Sequence, residues 1–147
     1  MPRPKTPELT VDIIIELIDR PDRPIVLIER KYPPPGWAIP GGFVDVGETV
    51  EHAARREALE ETCLDVELKD LLGCYSDPAR DPRGHTAGLV YVAHASGTPA
   101  AADDAATLAM FDPRTIEVPL AFDHAAILAD YLRYRESGHL PSLTNKP

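Results

Sequence analysis

Sixteen prolines punctuate the 147 residues, and a proline neither donates to a β-ladder nor sits inside a helix without breaking it. The segments between them must be short, so the chain has to fold from many brief elements. The prolines cluster at 21–24, 33–35 and 78–82, where turns are therefore expected. Residues 11–18 (VDIIIELI) are rich in β-branched side chains and read as a mostly buried strand; 24–30 (PIVLIER) read as its hairpin partner. Residues 37–39 form a short extended piece leading into Pro40-Gly41-Gly42, a turn by composition.

From Thr49 to about Cys63 the pattern turns helical, with Thr49 as N-cap and His52 where a capping box would place Glu. Val50, Ala54 and Ala58 form a stripe of small residues able to press close to a sheet. Residues 64–75 read as a strand or strand pair, 88–95 as a strand, 96–106 as a loop and 108–111 as a short strand. Residues 123–135 read as an amphipathic helix capped by Asp123. Strands mixed with helices predict an α/β fold, a central mixed sheet with helices packed on it. One domain is expected over 1–147, with loose termini at 1–10 and 137–147.

Composition excludes several classes. With 44% hydrophobic and 27% charged residues the chain is of ordinary globular type. A formal charge of −9 speaks against a broad surface for DNA or RNA. An anionic ligand then needs a local device, a metal or a few arginines. Cys63 and Cys74 have no CxxC spacing and read as two structural thiols in a reducing cytoplasm. The first ten residues have no signal-peptide core, and no apolar run approaches the roughly 20 residues of a membrane span. A cytoplasmic protein without nucleic-acid or membrane partner is expected; a homodimer is left open.

The chemistry-bearing feature is acidic. Glu57, Glu60 and Glu61 stand at i, i+3 and i+4 and so share a helix face. Like charges at this spacing destabilise a helix by about 0.2–0.5 kcal/mol per pair. A divalent cation removes that cost and gains the oxygen ligands magnesium prefers. In isolation such a run is more often a solvated face. Its surroundings decide otherwise: Gly42, then Glu48 after five residues, then Arg56-Glu57-Ala58-Leu59-Glu60-Glu61-Thr62-Cys63-Leu64 after seven more. This pattern resembles the Nudix box, the loop–helix–loop signature of pyrophosphate hydrolases. Cys63 stands where the box has glycine.

The resemblance implies an α/β/α sandwich of the Nudix type. It implies Glu57, Glu60 and Glu61 as ligands of magnesium, with manganese as an alternative, and the Gly41 carbonyl as an additional ligand. Arg56 would steer a box glutamate through a charge-assisted hydrogen bond, and Gly42 would permit a close backbone approach. Cys63 falls where a left-handed C-cap is expected, at a cost of roughly 1 kcal/mol for a residue with a Cβ.

Residues 76–86 (SDPARDPRGHT) pack charge and proline into a stiff loop. On its own it would be a surface turn with Arg80–Asp77 and Arg83–Asp81 pairs of little worth. After a Nudix box it resembles a loop of ADP-ribose pyrophosphatases, as do Asp103-Asp104-Ala105 and residues 120–124 (LAFDH). That likeness gives Arg80 or Arg83 a role on phosphate oxygens, and His85 a phosphate bond or a cap of the loop. Asp104 would supply a base or further ligand. Trp37 reads as packing rather than an adenine platform.

The expected function is metal-dependent hydrolysis of ADP-ribose to AMP and ribose 5-phosphate by activated water. The alternatives are hydrolysis of another nucleoside diphosphate-X or of nucleoside triphosphates, or a non-catalytic ADP-ribose sensor. Sensors of that kind carry a DNA-binding domain, for which this chain has neither length nor basic charge.

Overall fold

The computed structural model describes residues 2–102 and 107–143. Nine elements follow in order: β1 (Glu8–Leu17), β2 (Ile25–Glu29), β3 (Trp37–Ala38), β4 (Gly41–Phe43), α1 (Val50–Thr62), β5 (Glu67–Tyr75), β6 (Thr86–Ala95), β7 (Leu108–Phe111) and α2 (His124–Ser137). The strands form one sheet in the order β3-β2-β1-β6-β5, with β4 also paired to β1 and β7 to β2. Only β1 and β6 run parallel among these pairs, from Glu8 opposite Thr86 to Leu17 opposite Ala95. The sheet is mixed, as expected.

Period-two alternation sorts the side chains of β1. Val11, Ile13, Ile15 and Leu17 join Ala53, Ala54 and Ala58 of α1 in one core. Ile14 joins Val90, Val92, Ile127, Leu128 and Tyr131 in a second core beneath α2. One helix on each face makes an α/β/α sandwich, and a strand buried on both faces reads as a nearly continuous apolar run. Two polar residues interrupt that run, Asp12 and Glu16, 9% and 2% exposed. Both lie on the α2 face.

Four expectations need correction. The segment 40–42 is not a turn: Gly41 and Gly42 belong to β4, opposite Asp12 and Val11. Their lack of a side chain serves close approach, since a Cβ on Gly41 would lie 2.1 Å from the Val11 carbonyl oxygen. Asp123 precedes α2 but makes no side-chain cap bond, because its carboxylate is committed to Arg80. The Arg80–Asp77 side-chain pair is accordingly replaced, whereas Arg83 does pair with Asp81. At the termini, Glu8–Thr10 are ordered into β1 and α2 reaches Ser137. The caps of α1 match expectation: Thr49 accepts the His52 N–H, and Cys63 is left-handed at φ 58°.

Candidate active site

Ala53, Ala54 and Ala58 have no exposed surface and let α1 lie close on the sheet. Glu57 and Glu61 are thereby carried over the Gly41-Gly42 backbone. A Cβ on Gly42 would stand 2.5 Å from Glu57 Oε1, so the glycine is what leaves room for that carboxylate. Gly41 N–H donates to Glu61 Oε1 at 3.1 Å.

Arg56 organises the acidic helix. Its Nε and Nη2 bind both oxygens of Glu48 at 2.8 and 2.7 Å, and Nη1 donates to Glu57 Oε1 at 3.0 Å. The bidentate bond from Arg56 holds the Glu48 carboxyl far below the usual carboxylate range. Glu60 is 58% exposed and reaches only Arg56, so it stands apart from the Glu57–Glu61 pair. Burial pushes Glu57 upward. Burial, then the charge of Glu57, pushes Glu61 up to about 8.

Beneath Gly41 lies a residue that sequence reasoning missed. Asp12 Oδ1 would be 2.4 Å from a Cβ on Gly41, and burial pushes its carboxyl up to about 7 against the opposing pull of Arg80. Burial, with the charges of neighbouring carboxylates added, disfavours the ionised forms of Asp12, Glu57 and Glu61. Among the described residues no three His, Cys, Asp or Glu side chains are gathered into a ready metal cage. A magnesium ion, however, is usually held by one or two carboxylates together with substrate phosphates, and Glu57 with Glu61 supplies that donor set. The residues fit a divalent ion that arrives with a phosphorylated substrate.

A pocket of about 110 Å³ opens beside this pair, lined among others by Asp12, Arg30, Glu61, Arg80, Phe122 and His124. Its far wall comes from the segment before α2. Trp37 N–H donates to Pro119 O, and Ala121 N–H to Trp37 O, both at 2.8 Å, which fixes the segment to β3. Trp37 itself packs edge-on against Phe111, the packing role expected for it. Phe122 then adopts φ 56°, a left-handed conformation costing a bulky residue about 1–2 kcal/mol. The turn places the Phe122 ring under two guanidinium groups, Arg30 Cζ at 4.7 Å and Arg83 Cζ at 5.3 Å from its centroid. Burial, then the nearby Arg83 charge, lowers the pKa of Arg30. Two guanidinium groups thus share one ring, Arg83 also pairing with Asp81 and Arg30 Nε donating to Pro34 O.

Arg80 is placed differently from Arg83. Its side chain is 6% exposed; Nε and Nη2 bind Asp123 at 3.0 Å each, and Nη1 binds Thr86 Oγ1 at 2.8 Å. It lines the pocket with most of its donors already spent. Arg83, 48% exposed, lies at the rim on Asp81. His85 does not line the pocket; its Nε2 donates to Ser76 O at 3.0 Å, the loop-capping alternative of the sequence reading. Asp104 lies outside the described residues. Sequence reasoning overlooked Asp12 and Arg30, and it marked the segment 120–124 by resemblance without giving Phe122 or His124 a role. Asp12 left a signal of its own, as a charge inside an apolar strand.

Comparison with known proteins places this geometry. Over 132 residues the chain is 46% identical to an ADP-ribose pyrophosphatase of Methanocaldococcus jannaschii, covering 88% of this chain and 75% of that protein. Among solved structures it superposes on the NUDIX domain of Shewanella oneidensis NrtR complexed with ADP ribose. That match has a TM-score of 0.76 at 25% identity and covers 90% of each chain. A bifunctional NMN adenylyltransferase/ADP ribose pyrophosphatase from Francisella tularensis, complexed with AMP and a Mn ion, gives 0.73 at 27% identity. There the match covers 88% of this chain and 42% of the larger protein. The NUDIX domain model itself matches residues 7–131, from the edge of β1 into α2, and the chain therefore belongs to the Nudix family.

Proposed function

We propose that this chain is a divalent-metal-dependent pyrophosphohydrolase that cleaves ADP-ribose to AMP and ribose 5-phosphate. The observation that carries the reading is the polarity of the pocket: Glu61 lines it, with Glu57 next to it over Gly42, and Arg30 and Arg83 line it over the Phe122 ring. A diphosphate laid between them meets a cation site at one end and guanidinium donors at the other. The likeness to the M. jannaschii enzyme supports the choice of substrate.

Glu57, Glu61 and the Gly41 carbonyl would hold the ion, with Glu60 available at the open side of the helix. A bound divalent ion would neutralise phosphate charge and lower the pKa of a water molecule. Arg56 keeps Glu57 aimed through its Nη1 and stays charged through its bonds to Glu48. Arg83 and Arg30 would stabilise the charge that develops on the phosphates, while Arg80 holds the pocket floor to Asp123. His85 keeps its place in this reading through the loop it closes. Asp104 is our proposed base or further ligand. Magnesium is the proposed ion, with manganese as a substitute; a cytoplasmic location and a homodimer belong to the same proposal. Among the described residues no helix is long and apolar enough to cross a membrane.

The test is a panel assayed with magnesium: ADP-ribose, nucleotide sugars and nucleoside triphosphates, with products separated by chromatography. ADP-ribose should have the highest kcat/KM and yield AMP. Equal or better turnover of triphosphates would transfer the assignment to them, and tight binding without turnover would favour a sensor.

A further inference from the structure

Phe122 is a half-buried aromatic at the turn into α2, and its backbone is left-handed at φ 56°. Glycine takes that conformation without cost, whereas a bulky residue adopts it only where its surroundings hold it there. Here the holding contacts are explicit. Ala121 N–H donates to Trp37 O at 2.8 Å and His124 N–H to Ala121 O at 3.2 Å, which fixes the backbone on either side. The ring rests against the imidazole of His124, 5.3 Å from centroid to centroid, and that imidazole is buried and accepts the Ile39 N–H. Over this fixed ring stand the guanidinium groups of Arg30 and Arg83, at 4.7 and 5.3 Å from its centroid. Arg30 follows β2 and Arg83 lies in the loop before β6, so the two arrive from distant parts of the chain. All three side chains line the pocket.

Two cations brought together repel, and the charge of Arg83 does bear on Arg30. Their hydrogen bonds go to different partners, Arg83 to Asp81 and Arg30 to the Pro34 carbonyl. The Phe122 ring is in contact with both, and the negative face of an aromatic ring attracts each guanidinium. A guanidinium held in this way still has N–H donors to give, in a geometry that suits phosphate oxygens. We propose that Phe122 is a positioning residue, whose ring gathers Arg30 and Arg83 into a two-armed clamp for the diphosphate before the substrate arrives. The left-handed strain is the cost of standing the ring at that point, and charge arranged in advance is what it supplies. The inference rests on the reading of the pocket as a diphosphate site and adds the residue that assembles it.

The test is calorimetric titration of inorganic pyrophosphate with magnesium into the full-length protein, which probes the clamp without nucleoside or sugar. Phe122→Leu keeps an apolar side chain at the same strained position but has no π face; Phe122→Tyr keeps the face. The leucine variant should bind pyrophosphate about tenfold more weakly, the scale of two cation–π contacts. The tyrosine variant should recover most of that loss. A role confined to packing would instead lower the melting temperature of the leucine variant and leave its pyrophosphate affinity near the parent's. A double variant tests the route. If the ring acts through the arginines, adding Phe122→Leu to Arg83→Ala should cost only about threefold, from the one contact left. A full tenfold cost there, or unchanged binding by Phe122→Leu, overturns the proposal. Equal losses with leucine and tyrosine, or a parent that does not bind pyrophosphate, do the same. If Phe122→Leu fails to fold, Phe122→Gly, which relieves the left-handed strain, is read in its place. Turnover of ADP-ribose is scored separately: a parent whose pyrophosphate binding depends on the ring yet leaves ADP-ribose intact refutes the proposed substrate and spares the clamp.

Discussion

Asp12 and Glu16 sit four residues apart on the same strand and the same face, both buried, yet they are treated in opposite ways. Glu16 is fully supplied: Tyr131 donates its hydroxyl to Oε2, His94 meets Oε1 at 3.0 Å, and Arg23 reaches Oε1 at 3.3 Å. Tyr131 is itself held by Arg135 at 3.0 Å. Asp12 has Arg80 and His124 only at 3.9 Å. A buried carboxyl that is paired and hydrogen-bonded belongs to the fold; one short of partners in a pocket wall is a candidate for function. The difference separates the part of the sheet beneath the middle of α2, where Tyr131 meets Glu16, from the part at the start of α2, where His124 lines the pocket.

The largest expected effect falls on the pocket end. Chelating divalent ions, or replacing Glu61→Gln, should lower kcat by at least about two orders of magnitude, because the charge holding the ion and phosphates is lost. Undiminished turnover in excess chelator would remove the pocket's claim to metal chemistry.

Next comes the contrast itself. Glu16→Ala strands Arg23, His94 and the Tyr131 hydroxyl, and removing one member of a buried ion pair costs about 3–5 kcal/mol. Denaturant unfolding should show that loss, with normal kcat/KM for the molecules still folded. Asp12→Asn should do the reverse, impairing catalysis while leaving stability near the parent's or above it. The pH dependence gives the sign. Burial raises the Asp12 pKa from 3.8 to about 7, so between those values the folded chain holds a proton that the unfolded chain has lost. Stability of the metal-free protein should therefore fall as pH rises from about 4 to 7, and level off above. Asp12→Asn should flatten that decline. The raised Glu61 extends it to about pH 8, and magnesium should offset it most at the alkaline end. A decline unchanged in Asp12→Asn would mean that Asp12 ionises freely in the fold.

The two loop arginines give a smaller, parallel contrast. Arg83→Ala should lower kcat/KM for ADP-ribose about tenfold or more at an unchanged melting temperature, since charge-assisted bonds contribute about 1.5–3 kcal/mol. Arg80→Ala should instead lower the melting temperature, by unpairing Asp123 beneath the pocket. Identical behaviour of the two variants would contradict their different burial.

The smallest effect is at Cys63, left-handed at φ 58°. Cys63→Gly should raise stability by about 1 kcal/mol and leave the rate alone. A large loss of activity there would give the thiol a role in the pocket.

How much could be read in advance follows the range of the interactions. The carboxylate helix was legible because Glu57 and Glu61 are a turn apart and local periodicity places them together. Its cap at Thr49 and its left-handed end at Cys63 are likewise decided within a few residues. The β-branched run of residues 11–18 marked β1 as a mostly buried strand. The reading of Pro40-Gly41-Gly42 as a turn went astray because composition cannot tell a glycine needed for φ from one needed for contact. Here contact with Val11, Asp12 and Glu57 decides. The loop 76–86 could be marked as charged, but which arginine would be buried depended on Asp123, 43 residues away.

By itself, then, the sequence determined the α/β class, the helix that carries the acidic cluster and the kinship of its box, because each depends on short-range spacing and side-chain chemistry. Tertiary structure alone decided that Asp12, Arg30, Phe122 and His124 share one pocket, and that Glu16 is tied to Tyr131 and His94 while Asp12 lines that pocket. Those outcomes depend on contacts such as Ile39 to His124, 85 residues apart. No local pattern encodes whether a buried polar group will find its partner, because the partner is supplied by the packing of distant segments.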